Sequence, residues 1–245
     1  MVAFIKRGLI SAVTVILLGI SAAVATPLTV KPEEAFHQAF PQVPVESIRP
    51  TDIKGLYEVI SGTNIYYYHQ EKDYLFSGNI FQKDGRNLTG EKRAELEKKQ
   101  AKLAVEMAKS LPLDKAVKIG NGKTIVIEFT DPDCPYCRNA SNYLSKRADL
   151  TRYIFFTVLA NHPTAIDKIH YILSTDNKAQ AYEEMMAGKA IPTAAPAVNE
   201  AVKALTQDHL ALGKKVGIQA TPTFFINDSM VVGAEIKKIE QLLQN

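Results

Sequence analysis

Lys123-Thr124-Ile125-Val126-Ile127-Glu128-Phe129-Thr130-Asp131-Pro132-Asp133-Cys134-Pro135-Tyr136-Cys137 joins a run of apolar, β-branched residues to two cysteines with two residues between them. Residues 123–130 read as a buried-type strand, and Cys134 to Arg147 as a helix. A Cys-x-x-Cys at that corner sets the first sulfur over backbone N–H groups that have no partner inside the helix. The positive helix end favours the thiolate, which is the reactive form. The second sulfur follows one turn later, within reach of the first. Cys134 can attack a substrate disulfide to give a mixed disulfide, and Cys137 can resolve it. Pro135 suits the first helical turn, where its missing N–H would be unpaired anyway, and Tyr136 completes the motif.

Other readings of the pair are weaker. A disulfide closing so short a loop removes little chain entropy. A zinc site needs two further ligands, yet there is no second Cys-x-x-Cys, and His162 and His170 are eight residues apart, which is not a ligand spacing on one helical face. No metal is expected. An inert buried pair conflicts with an exposed strand-to-helix corner.

Downstream, residues 153–159 read as a second buried strand. Helical stretches over 164–187 and 198–213 flank the Pro-rich joint 191–196. Residues 223–227 and 230–232 form a hairpin, and 235–243 a closing helix. Alternating strands and helices imply an α/β domain over 111–245. Ala220-Thr221-Pro222-Thr223 opens the hairpin. Proline is tolerated at the start of a strand, and trans is its default. Beside a redox helix, a cis-proline would instead aim the Thr221 backbone at a bound peptide, held by strand-like pairing. Glu128 shares a strand face with Val126 and Thr130. It reads either as an acid at the sheet edge facing solvent, or as a partly buried acid relaying a proton to or from Cys137.

Upstream, residues 91–110 are a linker helix of strong helix formers, with Leu96, Leu103 and Met107 on one stripe. Residues 26–90 form a small α+β unit. Pro32 and the two following acids start a short helix whose apolar face holds Ala35, Phe36, Ala39 and Phe40. Strand-like runs over 55–61, 64–69 and 74–82 then form an antiparallel meander. In Tyr66-Tyr67-Tyr68 the rings alternate sides and serve packing. Asn87-Leu88-Thr89 fits a glycosylation pattern that is common by chance, and His37, His69 and His209 have no constellation around them. Residues 1–25 read as a signal peptide: Lys6 and Arg7, an apolar run from Leu9 to Ile20, then Ala23-Val24-Ala25 before Thr26. An uncleaved membrane anchor is the alternative.

The chain has 245 residues, 46% hydrophobic and 22% charged, so its composition is that of a folded protein rather than a disordered one. Its formal charge of +3 is too near neutral for a phosphate-backbone footprint, and no nucleic-acid partner is expected. Two cysteines exclude a disulfide-rich scaffold.

The pair Cys134/Cys137 after a strand, with Thr221-Pro222 opening a later one, resembles the thioredoxin superfamily. Phe129-Thr130-Asp131, Ala187-Gly188-Lys189 and Gly217-Ile218-Gln219-Ala220 extend the likeness to the periplasmic disulfide isomerases of the DsbC/DsbG type. Ile48-Arg49-Pro50 and Leu75-Phe76-Ser77-Gly78 are similar to that family's N-terminal dimerisation domain. The resemblance implies an α+β chain: a thioredoxin-like domain with a helical insertion, preceded by a cystatin-like dimerisation domain and a linker helix. It implies a V-shaped homodimer whose cleft takes misfolded or incorrectly oxidised exported proteins, a membrane reductase of the DsbD type that keeps the pair reduced, and no cofactor. Cys134 is then the nucleophile, Cys137 the resolving thiol, and Thr221-Pro222 the cis-proline loop. The function implied is disulfide isomerisation or reduction with chaperone activity, the alternatives being a thiol oxidase or a holdase without redox turnover. Two features depart from the type. Pro135-Tyr136 replaces the usual Gly-Tyr and is the glutaredoxin pairing, and an extra structural cysteine pair is missing.

Overall fold

The computed structural model describes residues 30–159 and 161–244, so the expected leader lies outside the described residues. Pro32–Ala39 forms α1, with Pro32 and the two acids in its first turn. Four strands follow as an antiparallel meander in sequence order: β1 (Ser47–Pro50), β2 (Leu56–Ser61), β3 (Asn64–His69) and β4 (Tyr74–Ser77). Val59 stands opposite both Ile48 and Tyr66, and Tyr57 opposite Tyr68. That register sends these side chains to the face covered by Phe36 of α1, while Tyr67 packs with Ile60 and Ile65 on the other. The tyrosine triplet alternates as its period requires. Strand β4 ends at Ser77, before Gly78, five residues short of the sequence expectation. Strand β1 was not expected as a strand, because Ile48 is its one apolar residue besides Pro50.

Helix α2 (Leu88–Ala108) begins three residues before Glu91 because the Asn87 side chain caps it, accepting from the Gly90 N–H at 2.9 Å. Thr89 is fully buried, and its hydroxyl contacts the Tyr67 hydroxyl (2.6 Å) and accepts from the Ile80 N–H (2.8 Å). The Asn-x-Thr pattern is thus a helix cap and a buried tether. Of the stripe expected on this helix, Leu96 and Met107 pack against buried clusters, but Leu103 is 56% exposed, and the buried residues towards the C-terminal end are Ala104, Val105 and Ala108. Small side chains let α2 lie close against the second domain.

That domain is built on a five-stranded sheet in the order β5-β7-β6-β8-β9. Its strands are β5 (Val117–Ile119), β6 (Thr124–Thr130), β7 (Leu150–Phe156), β8 (Thr223–Ile226) and β9 (Ser229–Val232). Only β6 and β7 are parallel, joined through α3 (Pro135–Leu144). The sequence placed β7 three residues late; the strand also takes in Leu150, Thr151 and Arg152. The expected helix over 164–187 is two helices, α4 (Ala165–Ser174) and α5 (Lys178–Met186), parted where Asn177 caps the second. Helices α6 (Glu200–Val216) and α7 (Ile236–Leu243) complete the domain.

Helices lie on both faces of this sheet. Val126, Ile154 and Phe156 face α3, α4, α5 and α7. Phe129, Phe155 and Phe225 face α6 and the last turns of α2. The connecting helix therefore contributes to the core of the domain it leads into. His209, on α6, is fully buried and far from lacking partners: its Nδ1 accepts from the Phe156 N–H (3.2 Å), and its Nε2 donates to the Lys115 carbonyl (2.9 Å).

Candidate active site

The parallel unit β6–α3–β7 brings the cysteine pair to the end of the sheet. Cys134 is the N-cap of α3 and Cys137 lies in its first turn. Both are free thiols. The expected exposed corner is only half realised: Cys134 is 2% exposed and Cys137 fully buried, whereas Pro135 is exposed and Tyr136 67% so. A partner meets the dipeptide first and the sulfur behind it.

Thr221-Pro222 is a cis peptide bond, and the Thr221 carbonyl accepts from Cys134 Sγ at 3.5 Å. Residues 87 apart in sequence are thus joined at the first cysteine. The Asp131 N–H points at Cys137 Sγ at 3.4 Å. The hydroxyls of Thr130 and Thr221, buried and without a hydrogen-bond partner of good geometry among the described residues, lie near the same sulfur. Burial pushes the Cys137 thiol well up, and the nearby Cys134 adds to this; the contacts with Thr130, Asp131 and Thr221 offset only part of it.

The loop before the pair is pinned by acids. Asp131, fully buried, accepts from the N–H groups of Asp133 (2.8 Å) and Leu159 (2.9 Å) and contacts His162 Nδ1 at 2.9 Å. His162, weighed in the sequence only as a zinc ligand, is a partner of this carboxylate. Asp133 is paired with Lys168 of α4 and with Arg138, and Thr164 donates to it. Burial alone would raise the Asp133 carboxyl, but the bonds from Lys168 and Thr164 outweigh it and hold the group below its ordinary range. The insert is thereby fastened to the residue before Cys134.

Of the two readings of Glu128, burial removes one. The carboxylate is fully buried in the central strand, so it is no solvent-facing edge acid. The acid is more deeply buried than the partly buried relay expected, and both of its oxygens have partners. One oxygen takes Arg152 Nη2 at 2.7 Å and the other the Tyr182 hydroxyl at 3.0 Å. Arg152 and Tyr182 were missed by sequence reasoning. The signal was a basic residue in one buried strand matched to an acid in the next.

Residues 22–90 match the family model described as the disulfide bond isomerase protein N-terminal domain, and residues 111–242 the thioredoxin-like domain. The probable thiol:disulfide interchange protein DsbC of Bordetella pertussis is 30% identical over 207 residues, covering 82% of this chain and 69% of that protein. The Escherichia coli thiol:disulfide interchange protein DsbC is 23% identical over 205 residues, covering 82% and 81%. A linker-deletion variant of Proteus mirabilis ScsC shares the fold, with a TM-score of 0.52 at 21% identity over 62% of this chain and 85% of that one. The fold and the cysteine corner define a thioredoxin-like thiol–disulfide oxidoreductase. Within that class, the chain belongs to the DsbC family of thiol:disulfide interchange proteins.

Proposed function

We propose that this protein isomerises incorrect disulfides in exported proteins, with Cys134 as nucleophile and Cys137 as resolving thiol. The observation that carries the reading is the asymmetry of the pair. Cys134 caps α3 against the Thr221 carbonyl, where a client strand can pair, while Cys137 sits below it with its thiol held up by burial. Cys134 attacks a client disulfide, and one client sulfur leaves as a thiolate. A reluctant Cys137 leaves that mixed disulfide time to be displaced by another client thiol, which returns Cys134 and rearranges the client without net redox change. When Cys137 does attack, the client is reduced and the pair oxidised. A membrane reductase of the DsbD type would then restore the dithiol. Pro135, Tyr136, Thr221 and Pro222 form the docking surface around the sulfur. The compartment consistent with this chemistry is the periplasm.

Cys134→Ala is expected to abolish recovery of activity from a scrambled, disulfide-containing client. Recovery at the wild-type rate would overturn the reading. Suppression of client aggregation retained by the same variant would place a holdase activity on the scaffold beside the redox one.

Association through the N-terminal unit belongs to the same proposal. Residues 22–90 match the N-terminal domain of disulfide bond isomerases, the part through which the resemblance implies pairing, and Tyr74, Phe76 and Phe81 leave apolar surface exposed along β4 and just beyond it. Sedimentation equilibrium should return the mass of two chains; the mass of one chain would refute the pairing.

A further inference from the structure

Glu128 and Arg152 lie on neighbouring parallel strands. Arg152 stands opposite Val126 and Ile154 opposite Glu128, so both charges share the face that carries α3 and the insert. Arg152 is 2% exposed. Its Nη2 alone makes the contacts: 2.7 Å to Glu128, 3.2 Å to the Tyr182 hydroxyl and 3.5 Å to Ser141. Nε and Nη1 have no hydrogen-bond partner among the described residues. The guanidinium thus meets the acid through one nitrogen and not as a two-pronged fork, and its charge is balanced by that acid alone. The cluster adjoins the resolving thiol. Tyr182 and Cys137 share one buried cluster, and Ser141 lies four residues along α3 from Cys137. Thr130, on the Glu128 face of β6, has its hydroxyl near the Cys137 sulfur.

We propose that Arg152 is a positioning residue for resolution: by closing Glu128 into a buried pair of zero net charge, it sets the field beneath Cys137 and so the lifetime of the mixed disulfide. The proposal rests on the assignment of Cys137 as resolving thiol. In the step, Cys137 loses its proton to solvent or to the departing thiolate, and its sulfur attacks Cys134 Sγ. The Cys134–client bond breaks, the client sulfur leaves with the electron pair, and a Cys134–Cys137 disulfide forms. Glu128 takes no proton. Negative charge grows on Cys137, so each member of the pair acts on it with opposite sign. The other ionisable groups near Cys137 are Cys134 and Tyr182, while Asp131 meets it through its backbone N–H and turns its carboxylate to His162; they are common to all variants.

The test uses the reduced full chain and the chromogenic disulfide dithiobis-nitrobenzoate. The first equivalent of aromatic thiolate released reports attack by Cys134, and the second reports resolution by Cys137. At neutral pH, Glu128→Gln should speed the second release about tenfold, because the cation remains, and Arg152→Gln should slow it by a similar factor. Glu128→Gln/Arg152→Gln should return to within about twofold of wild type. Each single variant is also read against the double, so if one fails to fold the other comparison still decides the sign. Slowing by Glu128→Gln would make the acid a proton acceptor and overturn the proposal, as would two singles that change the rate in the same direction. A wild-type chain that releases only one equivalent would refute the role of Cys137 itself, a failure distinct from that of Arg152.

Discussion

Cys137→Ala is expected to convert the protein into a trap, with mixed disulfides to clients accumulating towards one adduct per chain. Cys134 keeps its place at the cap of α3 and its contact with the Thr221 carbonyl, so attack continues. What is lost is the one sulfur that can displace the client from within. The adducts should survive non-reducing electrophoresis and vanish with added thiol; failure to accumulate would mean that release does not depend on Cys137. The same step predicts a pH dependence in the unmutated chain. Burial holds the Cys137 thiol above its ordinary range, so its reactive form is a small fraction at neutral pH. That fraction grows about tenfold for each unit of rising pH below the midpoint. Resolution should accelerate accordingly from neutral into mildly alkaline solution. Cys137→Ala should show none of this acceleration in the loss of its adducts to internal attack.

Acid should weaken the redox domain through His209 well before the carboxylates titrate. The ring is fully buried against Phe155 and Phe156, and the 5.6 Å stack on Phe156 is close to parallel. Its Nδ1 already accepts from a backbone N–H, so a proton there would set two donors face to face. Burial lowers its affinity for protons below the ordinary 6.5, against the opposing influence of the Lys115 carbonyl and Asp208, while the Lys115 cation lowers it further. The unfolded chain takes up a proton near pH 6.5 that the folded chain refuses. The stability contributed is therefore complete above that pH and declines as pH falls towards the depressed folded value. At its steepest the loss is about 1.4 kcal/mol per pH unit. Urea unfolding of the wild type and of His209→Gln, compared between pH 7 and about pH 5, isolates this contribution. Parallel slopes in the two proteins would show that His209 does not titrate on unfolding.

The catalytic corner was legible because its signals are local. A β-branched run, two cysteines one turn apart and a proline inside the first turn each announce their backbone conformation, and the Thr221-Pro222 pair opens its strand where expected. The supports of that corner were less so, since they depend on which strand lies beside which. Arg152 lies just outside the strand expected over 153–159, and only with β7 beside β6 does it become the partner of Glu128. His209 and Asp131 were unremarkable for the same reason: their partners are backbone groups of elements distant in the chain. The misplacement of Leu103 on α2 has another cause: Leu96 and Met107 of the same stripe do pack inward, but alanines at 104 and 108 mark a close approach, and Leu103 is left in solvent.

The recessed position of Cys134 also bears on how long a molecule stays in service. Stepwise oxidation of a cysteine to its sulfinic and sulfonic acids follows thiolate character together with access for small oxidants. With 2% of the residue open to water, dissolved peroxide finds almost no target, whereas a polypeptide docked as proposed on Tyr136 and along Thr221 would bring its own sulfur to the spot. The recess filters by size of contact surface, sparing the group from irreversible damage between encounters.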